Sequence, residues 1–395
     1  MPGENANRIA IELDDESDRY HRQSLITWWD QELLDSARVI VVGAGALGNE
    51  IVKNLVLMGV GHVTVVDMDV IENSNLARCV FFRQEDDGKE KATVLARRAG
   101  ELNPDISIEP KVGDVRFTLG LGDFADADVV VGGLDNREAR LYVNQACWKT
   151  NTPWVDGAIE GLMGVVRVFI PPETACYECT MSERDHQLVA ARKSCALLTK
   201  DEMLEGKVPT NATSSSVVAG IEAQEVVKLL HRDQLGEPTL AGAGYNFVGL
   251  THDSYLVNYQ QRDDCLSHDF YDLENAGSLP ADTPFSSILK LARKELGESA
   301  ILELEHELVT GATCSECGNE WPIMMPVDRL GTAEGLCPDC GKPRNLEFTH
   351  AVDDGSALLA ESPMSVGLPV RDVVVARDGF DRSFFRLVPP AETGP

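Results

Sequence analysis

The 395-residue sequence predicts an α/β fold, a mostly parallel sheet covered by helices and followed by a small C-terminal module. Three observations carry that expectation. Short apolar runs ending in Gly or Asp alternate with helical stretches, a glycine-rich turn joins the first run to the first such stretch, and two late C-x-x-C pairs mark a change of character. In chain order, residues 39–42 form a buried-strand run closed by Gly43, residues 46–58 read as a helix, and residues 63–66 form a second run closed by Asp67. A helical segment over about 89–102 stops at Asn103-Pro104, and residues 128–132 repeat the strand signature. A helix near 137–149, strands near 153–156 and 165–170, a helix over 215–231 and strands around 245–259 complete one large domain, 19–275. After a linker, a helix near 285–296, a strand near 301–309 and a closing segment over 366–388 make a separate module, 280–395. Residues 1–18 hold Asp14, Asp15, Glu16 and Asp18 with few aromatics, the composition of a disordered acidic tail.

Charge excludes whole classes of partner. Lys plus Arg number 35 against 64 Asp plus Glu, and a net charge of −29 repels phosphate backbones and anionic membranes, so no nucleic acid and no membrane is expected as a partner. No apolar run approaches the roughly 18 residues of a membrane span, and the start lacks a basic-then-apolar signal layout, so a cytoplasmic protein is expected. Ten cysteines, six of them in three C-x-x-C pairs, fit metal sites in a reducing compartment better than disulfides.

Gly43, Gly45 and Gly48 spell G-x-G-x-x-G between a strand and a helix, a Rossmann-like turn whose exposed amides and helix dipole receive phosphates. Asp67, 19 residues past Gly48 at the end of the second strand, can accept from a ribose. A nicotinamide-dependent dehydrogenase would share both features. The strings RYHRQ (19–23), VVGAGALG (41–48), VDMDVIENSNLAR (66–78), GKEK (88–91), LDNREAR (134–140) and DGAIEG (156–161) separate the readings. In this order they resemble the ThiF/MoeB and ubiquitin-activating-enzyme superfamily over about residues 19–270.

The resemblance implies a ThiF-type adenylation domain that uses ATP and Mg2+ to adenylate the C-terminal glycine of a ubiquitin-like protein. It also implies the site: Arg78 and Lys91 against the phosphates, Asp135 for magnesium, Asp67 for the ribose, and Asp69 and Asn75 beside the nucleotide. Those residue types suit the chemistry, because carboxylate attack on an α-phosphate builds negative charge that fixed cations stabilise without reorganising. Arg22, in RYHRQ, matches an arginine that relatives donate into the neighbouring subunit's site, which implies a homodimer.

Cys176 and Cys179 (C-Y-E-C) with Cys265 and His268 (C-L-S-H) make two ligand pairs suited to a closed tetrahedral Zn2+ set. Relatives often carry four cysteines here, so His268 is read either as the fourth ligand or as a polar surface residue. Cys314, Cys317, Cys337 and Cys340 form C-x2-C-x19-C-x2-C, zinc-ribbon spacing, with a redox pair as the alternative. Both metals are expected to be structural, the second being zinc or iron. Of the remaining cysteines, Cys147 lies in an apolar helix and Cys79 beside Arg78, both read as packed.

Cys195 follows Arg192 and Lys193, cations that favour the nucleophilic thiolate. It stands 16 residues beyond Cys179, in the loop of about 180–214 where relatives form a thioester, and it is expected to swing towards the adenylate. An inert structural cysteine, as in MoeB-like members, is the alternative. The whole pattern implies a thioester-forming activating enzyme that hands its cargo to a conjugating enzyme. Compact size without an inserted catalytic domain looks bacterial, and an antiviral operon is the setting suggested by that resemblance alone. A sulfur-carrier adenylyltransferase shares every ATP residue and differs in its acceptor, whereas a non-catalytic subunit or a dehydrogenase is disfavoured by Arg78, Lys91, Asp135 and Cys195 together. The C-terminal module is read as a docking surface or as support for the fold.

Overall fold

The computed structural model describes residues 18–187, 209–236 and 239–391. Eight strands build the first sheet: β1 (Arg38–Val42), β2 (His62–Asp67), β3 (Ser107–Val112), β4 (Val129–Gly132), β5 (Trp154–Glu160), β6 (Met163–Phe169), β7 (Ala243–Val248) and β8 (Asp253–Asn258). Their spatial order is β3-β2-β1-β4-β5-β6-β7-β8. The first five are parallel and the rest are added antiparallel. Burial on both faces explains the unbroken Val/Ile run of β1, whose residues Val39–Val42 are all buried.

Helices α1 (His21–Ser24) and α2 (Gln31–Ser36) precede the sheet. Then come α3 (Ala46–Met58), α4 (Lys91–Leu102), α5 (Val115–Thr118), α6 (Leu121–Ala125), α7 (Arg137–Thr150) and α8 (Ala212–Leu230). One face of the sheet is covered by α3, α4 and α8 around Leu47, Ile51, Leu55, Leu95 and Val226. On the other, α6 and α7 pack Phe124, Val143 and Cys147 against Trp154 and Phe169. The chain order reverses between β1 and β4, so the crevice beyond their carboxyl ends is the switch point where open α/β sheets bind ligands.

The remaining strands form a second, largely antiparallel sheet: β9 (Gly277–Pro280), β10 (Ile301–Cys314), β11 (Glu320–Trp321), β12 (Met325–Pro326), β13 (Arg344–Val352), β14 (Val373–Asp378) and β15 (Asp381–Val388), with α9 (Phe285–Leu296) packed on it. This sheet is not held at arm's length. Val373, Val375 and Phe384 share one apolar cluster with Phe124 and Val143. Along the same seam Gly122 N donates to Arg371 O at 2.7 Å, Leu121 N to Asp372 Oδ1 at 3.2 Å, and Lys149 pairs with Glu305.

Several elements differ from expectation, among them the unpredicted α5, α6, β9 and β13. β3 was not foreseen, because S-I-E-P-K-V is a mostly exposed edge strand that lacks the apolar run of its neighbours. β10 runs on past residue 309 to Cys314, so a single strand leads from the shared seam to the first ribbon cysteine. Residues 1–17 of the expected 1–18 tail, and Cys195 with residues 188–208 of its loop, lie outside the described residues. Among the described residues no helix is long and apolar enough to cross a membrane.

Candidate nucleotide and metal sites

The glycine turn is built by close approach. Gly43 has φ +102°, and a Cβ there would lie 2.6 Å from Gly133 O; a Cβ at Gly48 would lie 1.8 Å from Gly43 O. Only glycine lets β1, α3 and the end of β4 meet this tightly. Gly45 caps α3 without a side chain to accept from its first-turn amides, and a Cβ there would meet nothing within 4 Å. The amides therefore face the crevice unblocked, as an anion site requires.

Asp67 closes β2 and braces the turn, its Oδ2 accepting from Ala44 N at 2.6 Å and its Oδ1 from Asp69 N at 2.7 Å. Burial holds its carboxyl above the usual value, against the pull of the Lys91 ammonium and those two amides. Lys91, at the start of α4, donates to Asp69 Oδ2 at 2.7 Å. Burial disfavours its ammonium, but Asp67 and Asp69 outweigh that and raise its pKa. Arg78 ends the 3-10 turn Asn73–Ala77, with Nη1 donating to Ser74 O at 2.6 Å, and buried Asn75 accepts from Glu72 N at 2.9 Å to cap the same turn. Asp135, beyond β4, is exposed, and its nearest partner is the Asn136 amide at 3.4 Å. Glycine turn, Asp67, Asp69, Lys91 and Asp135 thus gather at the carboxyl ends of β1, β2 and β4.

Arg22 is not among them. Its short helix α1 is held where α3 and α4 end: a Cβ at Gly59, the α3 C-cap, would lie 2.5 Å from the Tyr20 ring, and Asn103 donates to the Tyr20 hydroxyl at 2.7 Å. At 1.5 Å per residue the 13-residue α3 puts about 20 Å between that contact and the glycine turn. Arg22 is exposed, with no ion pair from its side chain among the described residues.

Beneath the crevice lies a charged group that the sequence did not single out: Arg140 and Asp156 are only letters of the strings, and Arg167 and Glu222 lie outside them. Fully buried Asp156 on β5 accepts from Arg140 Nε at 2.8 Å and from Arg167 Nη2. Arg140 Nη2 reaches Leu134 O at 2.6 Å and Gly157 O at 3.1 Å. Glu222 on α8, fully buried against Gly157, has both carboxylate oxygens without a hydrogen-bond partner among the described residues. Burial first and the Asp156 charge second push its carboxyl well above the carboxylate range, against Arg140 and Arg167. The only sequence signal was a charged residue inside an apolar helical stretch.

Two donor clusters are preassembled. Cys176, Cys179, Cys265 and His268 have their ligand atoms within 4.8 Å of one another, as do Cys314, Cys317, Cys337 and Cys340. Zinc with S bonds of about 2.3 Å in a tetrahedron needs S···S near 3.8 Å. The Cys176 sulfur lies 3.7 Å from Cys179 and 3.6 Å from Cys265, and the Cys179 sulfur 3.4 Å from His268 Nε2. The His268 ring stacks on Trp148 at 3.9 Å, which aims its nitrogen inward rather than to solvent. In the second cluster Cys314–Cys340 and Cys317–Cys337 are 3.5 and 3.7 Å apart, and two like turns carry them, with Gly318 N donating to Cys314 O and Gly341 N to Cys337 O. Both clusters fit a closed, four-coordinate ion. Cys79 and Cys147 are buried, and burial pushes the Cys79 thiol up to about 11 despite Arg78 beside it.

Comparison with known proteins agrees with this architecture. The chain is 39% identical over 166 residues to the NEDD8-activating enzyme E1 catalytic subunit of Arabidopsis thaliana, a match of 38% of this chain and 36% of that one, so the chain spans about a third of that relative's length. It is 36% identical over 224 residues to the sulfur carrier protein adenylyltransferase of Thermus thermophilus, covering 55% of this chain and 78% of the relative. The crystal structure of E. coli MccB with AMPCPP and MccA superposes with TM-score 0.52 at 25% identity, over 64% of this chain and 74% of MccB. The model of the ThiF family matches residues 19–267, well over half of the sequence and the whole of the crevice just described, and the chain belongs to that family.

Proposed function

We propose that the protein is an ATP-dependent activating enzyme for a ubiquitin-like protein ending in glycine, acting through an acyl-adenylate and then a thioester on Cys195. The observation that carries the first step is the gathering, at one switch point, of an unblocked glycine turn, the Asp67 and Asp69 carboxylates, Lys91 and an open Asp135. Relatives named for this work, among them the Arabidopsis activating subunit and the Thermus adenylyltransferase, support it.

In this reading the partner's carboxylate oxygen attacks the α-phosphorus of ATP and pyrophosphate leaves. Lys91 and Arg78 offset the charge that builds, and Asp67 accepts from the ribose. Asp135 would hold Mg2+, since a carboxylate with no ion pair among the described residues suits a hard cation, and the ion would neutralise phosphate charge. The Cys195 thiolate then attacks the acyl carbon, AMP departs, and a conjugating-enzyme thiol takes the cargo. Arg22 completes the site of a second copy, because α1 stands too far from its own glycine turn for an arginine to reach back. The enzyme is therefore a homodimer. The two cysteine-rich clusters hold structural zinc, and a bacterial conjugation system, antiviral in setting, is the biological context.

Intact-mass analysis under acidic, non-reducing conditions tests the core of this. Tagged protein incubated with ATP, Mg2+ and lysate of its own host should gain a small-protein adduct that thiol removes and that Cys195→Ala lacks. AMP and pyrophosphate without such an adduct would defeat the thioester step in favour of a sulfur-carrier adenylyltransferase.

A further inference from the structure

The turn that carries Asp135 is fixed by three contacts: Gly133 N to Val42 O at 2.9 Å, Ala139 N to Asn136 Oδ1 at 2.7 Å, and Arg140 Nη2 to Leu134 O at 2.6 Å. The first two are ordinary devices of a strand end and a helix cap. The third comes from a buried guanidinium, 8% exposed, whose Nε donates to the Asp156 carboxylate and whose Nη2 also donates to Gly157 O on β5. Because the guanidinium is a rigid planar fork, anchoring Nε and Nη2 on β5 dictates where Nη2 meets the Leu134 carbonyl, one residue before Asp135. Asp156 is itself held from its other oxygen by Arg167.

Stability is a poor reason for such a group. Buried ion pairs cost so much desolvation that well-packed apolar residues usually serve the fold as well or better. What an apolar replacement would not supply is a direction. We infer that Arg140, braced by Asp156, is a positioning residue that sets where the Asp135 carboxylate stands in the crevice for a divalent cation bound with nucleotide. The inference rests on the reading of Asp135 given above. Arg140 holds the turn through the Leu134 carbonyl, and its charge also acts on the Asp135 carboxylate through space.

Binding of a fluorescent ATP analogue (mant-ATP) to the full chain, titrated with Mg2+ and repeated in EDTA, separates positioning from mere support and needs no partner protein. Asp135→Asn should abolish the strengthening of binding by Mg2+. Arg140→Lys, which keeps the charge but loses the fork, should weaken the apparent Mg2+ affinity about tenfold, a typical outer-shell effect, and leave affinity in EDTA within about twofold of wild type. Asp156→Asn should give the same shift, and the double variant should be no worse than either single one, because both act through one contact. A lowered melting temperature with wild-type Mg2+ dependence in Arg140→Lys would overturn the inference and leave Arg140 as structural. Mg2+ stimulation that survives Asp135→Asn would instead overturn the role of Asp135 itself, and this inference with it.

Discussion

Glu222 sits in surroundings its type does not prefer, a fully buried carboxyl with no hydrogen-bond partner on either oxygen among the described residues. With its carboxyl pushed well up by burial, the folded chain keeps this proton to a higher pH than the unfolded chain does. Unfolding therefore releases a proton, and this group's contribution turns against the fold as pH rises past the ordinary carboxylate value of about 4.3. Glu222→Gln removes the ionisation at nearly constant shape. It should raise the melting temperature at pH 8 by roughly 3 °C and leave it nearly unchanged at pH 5, read by calorimetry. Equal shifts at both pH values would show that the proton plays no part. No such property was legible in the sequence. Gly43, Gly48, Asp67 and Lys91 could be read because each sits in a local string at a strand end or helix start, where spacing encodes position. The Arg140, Asp156 and Glu222 group is assembled from α7, β5 and α8, and only the fold brings those three elements together.

At the scale of elements, legibility followed burial and punctuation. Residues 46–58 and 285–296 read as helices to their ends because each stops at glycine, Gly59 with its φ of +81° and Gly297, where the chain must leave the helix. β3 escaped because an edge strand with Pro110 needs no apolar run. The two cysteine-rich loops were legible as pairs, but whether His268 joins the first or faces solvent was left open in the sequence, and what turns its ring inward is Trp148 on α7. The loops also differ in shelter. Cys317 and Cys340 are exposed, whereas Cys176 is fully buried and His268 lies under an indole ring. Purified protein should contain about two zinc per chain, each set closed by four ligands. A chromogenic chelator should remove them in two phases, the ribbon's first. Cys317→Ser should delete the fast phase and one equivalent of zinc while leaving the slow phase at its wild-type rate. A single phase that carries both ions, unchanged in that variant, would refute the difference in shelter.

Over the whole molecule the two sheets meet along an apolar seam, which the sequence could not show because the run Val373–Ala376 is buried on both faces, Val373 and Val375 on the seam and Val374 and Ala376 in the second sheet's own core, and nothing in the letters says which face meets the first sheet. The seam covers the face of α6 and α7, whereas the helix that heads the nucleotide crevice packs in the other layer around Leu47 and Ile51. What the single chain does not bring to that crevice is Arg22. Tyr20 and Arg19 fasten α1 at the C-terminal ends of α3 and α4, with Arg19 Nη1 donating to Leu102 O at 2.9 Å, so a shift of α1 back over its own glycine turn would break both attachments. A second copy that presents its α1 to this crevice needs no such break. Mixed chains test the arrangement directly. Arg22→Ala and Asp135→Ala homodimers should each lose adenylation by roughly 100-fold or more, the scale on which single charge-stabilising groups act. Mixed and exchanged in equal amounts, half of the dimers pair one variant with the other, and each of these holds one crevice with both Asp135 and the neighbour's Arg22 intact. Activity should therefore recover to about a quarter of the wild-type value, measured as AMP formed with the ubiquitin-like partner identified by mass. No recovery, in chains shown to have exchanged by light scattering of tagged pairs, would mean that Arg22 serves its own subunit or none.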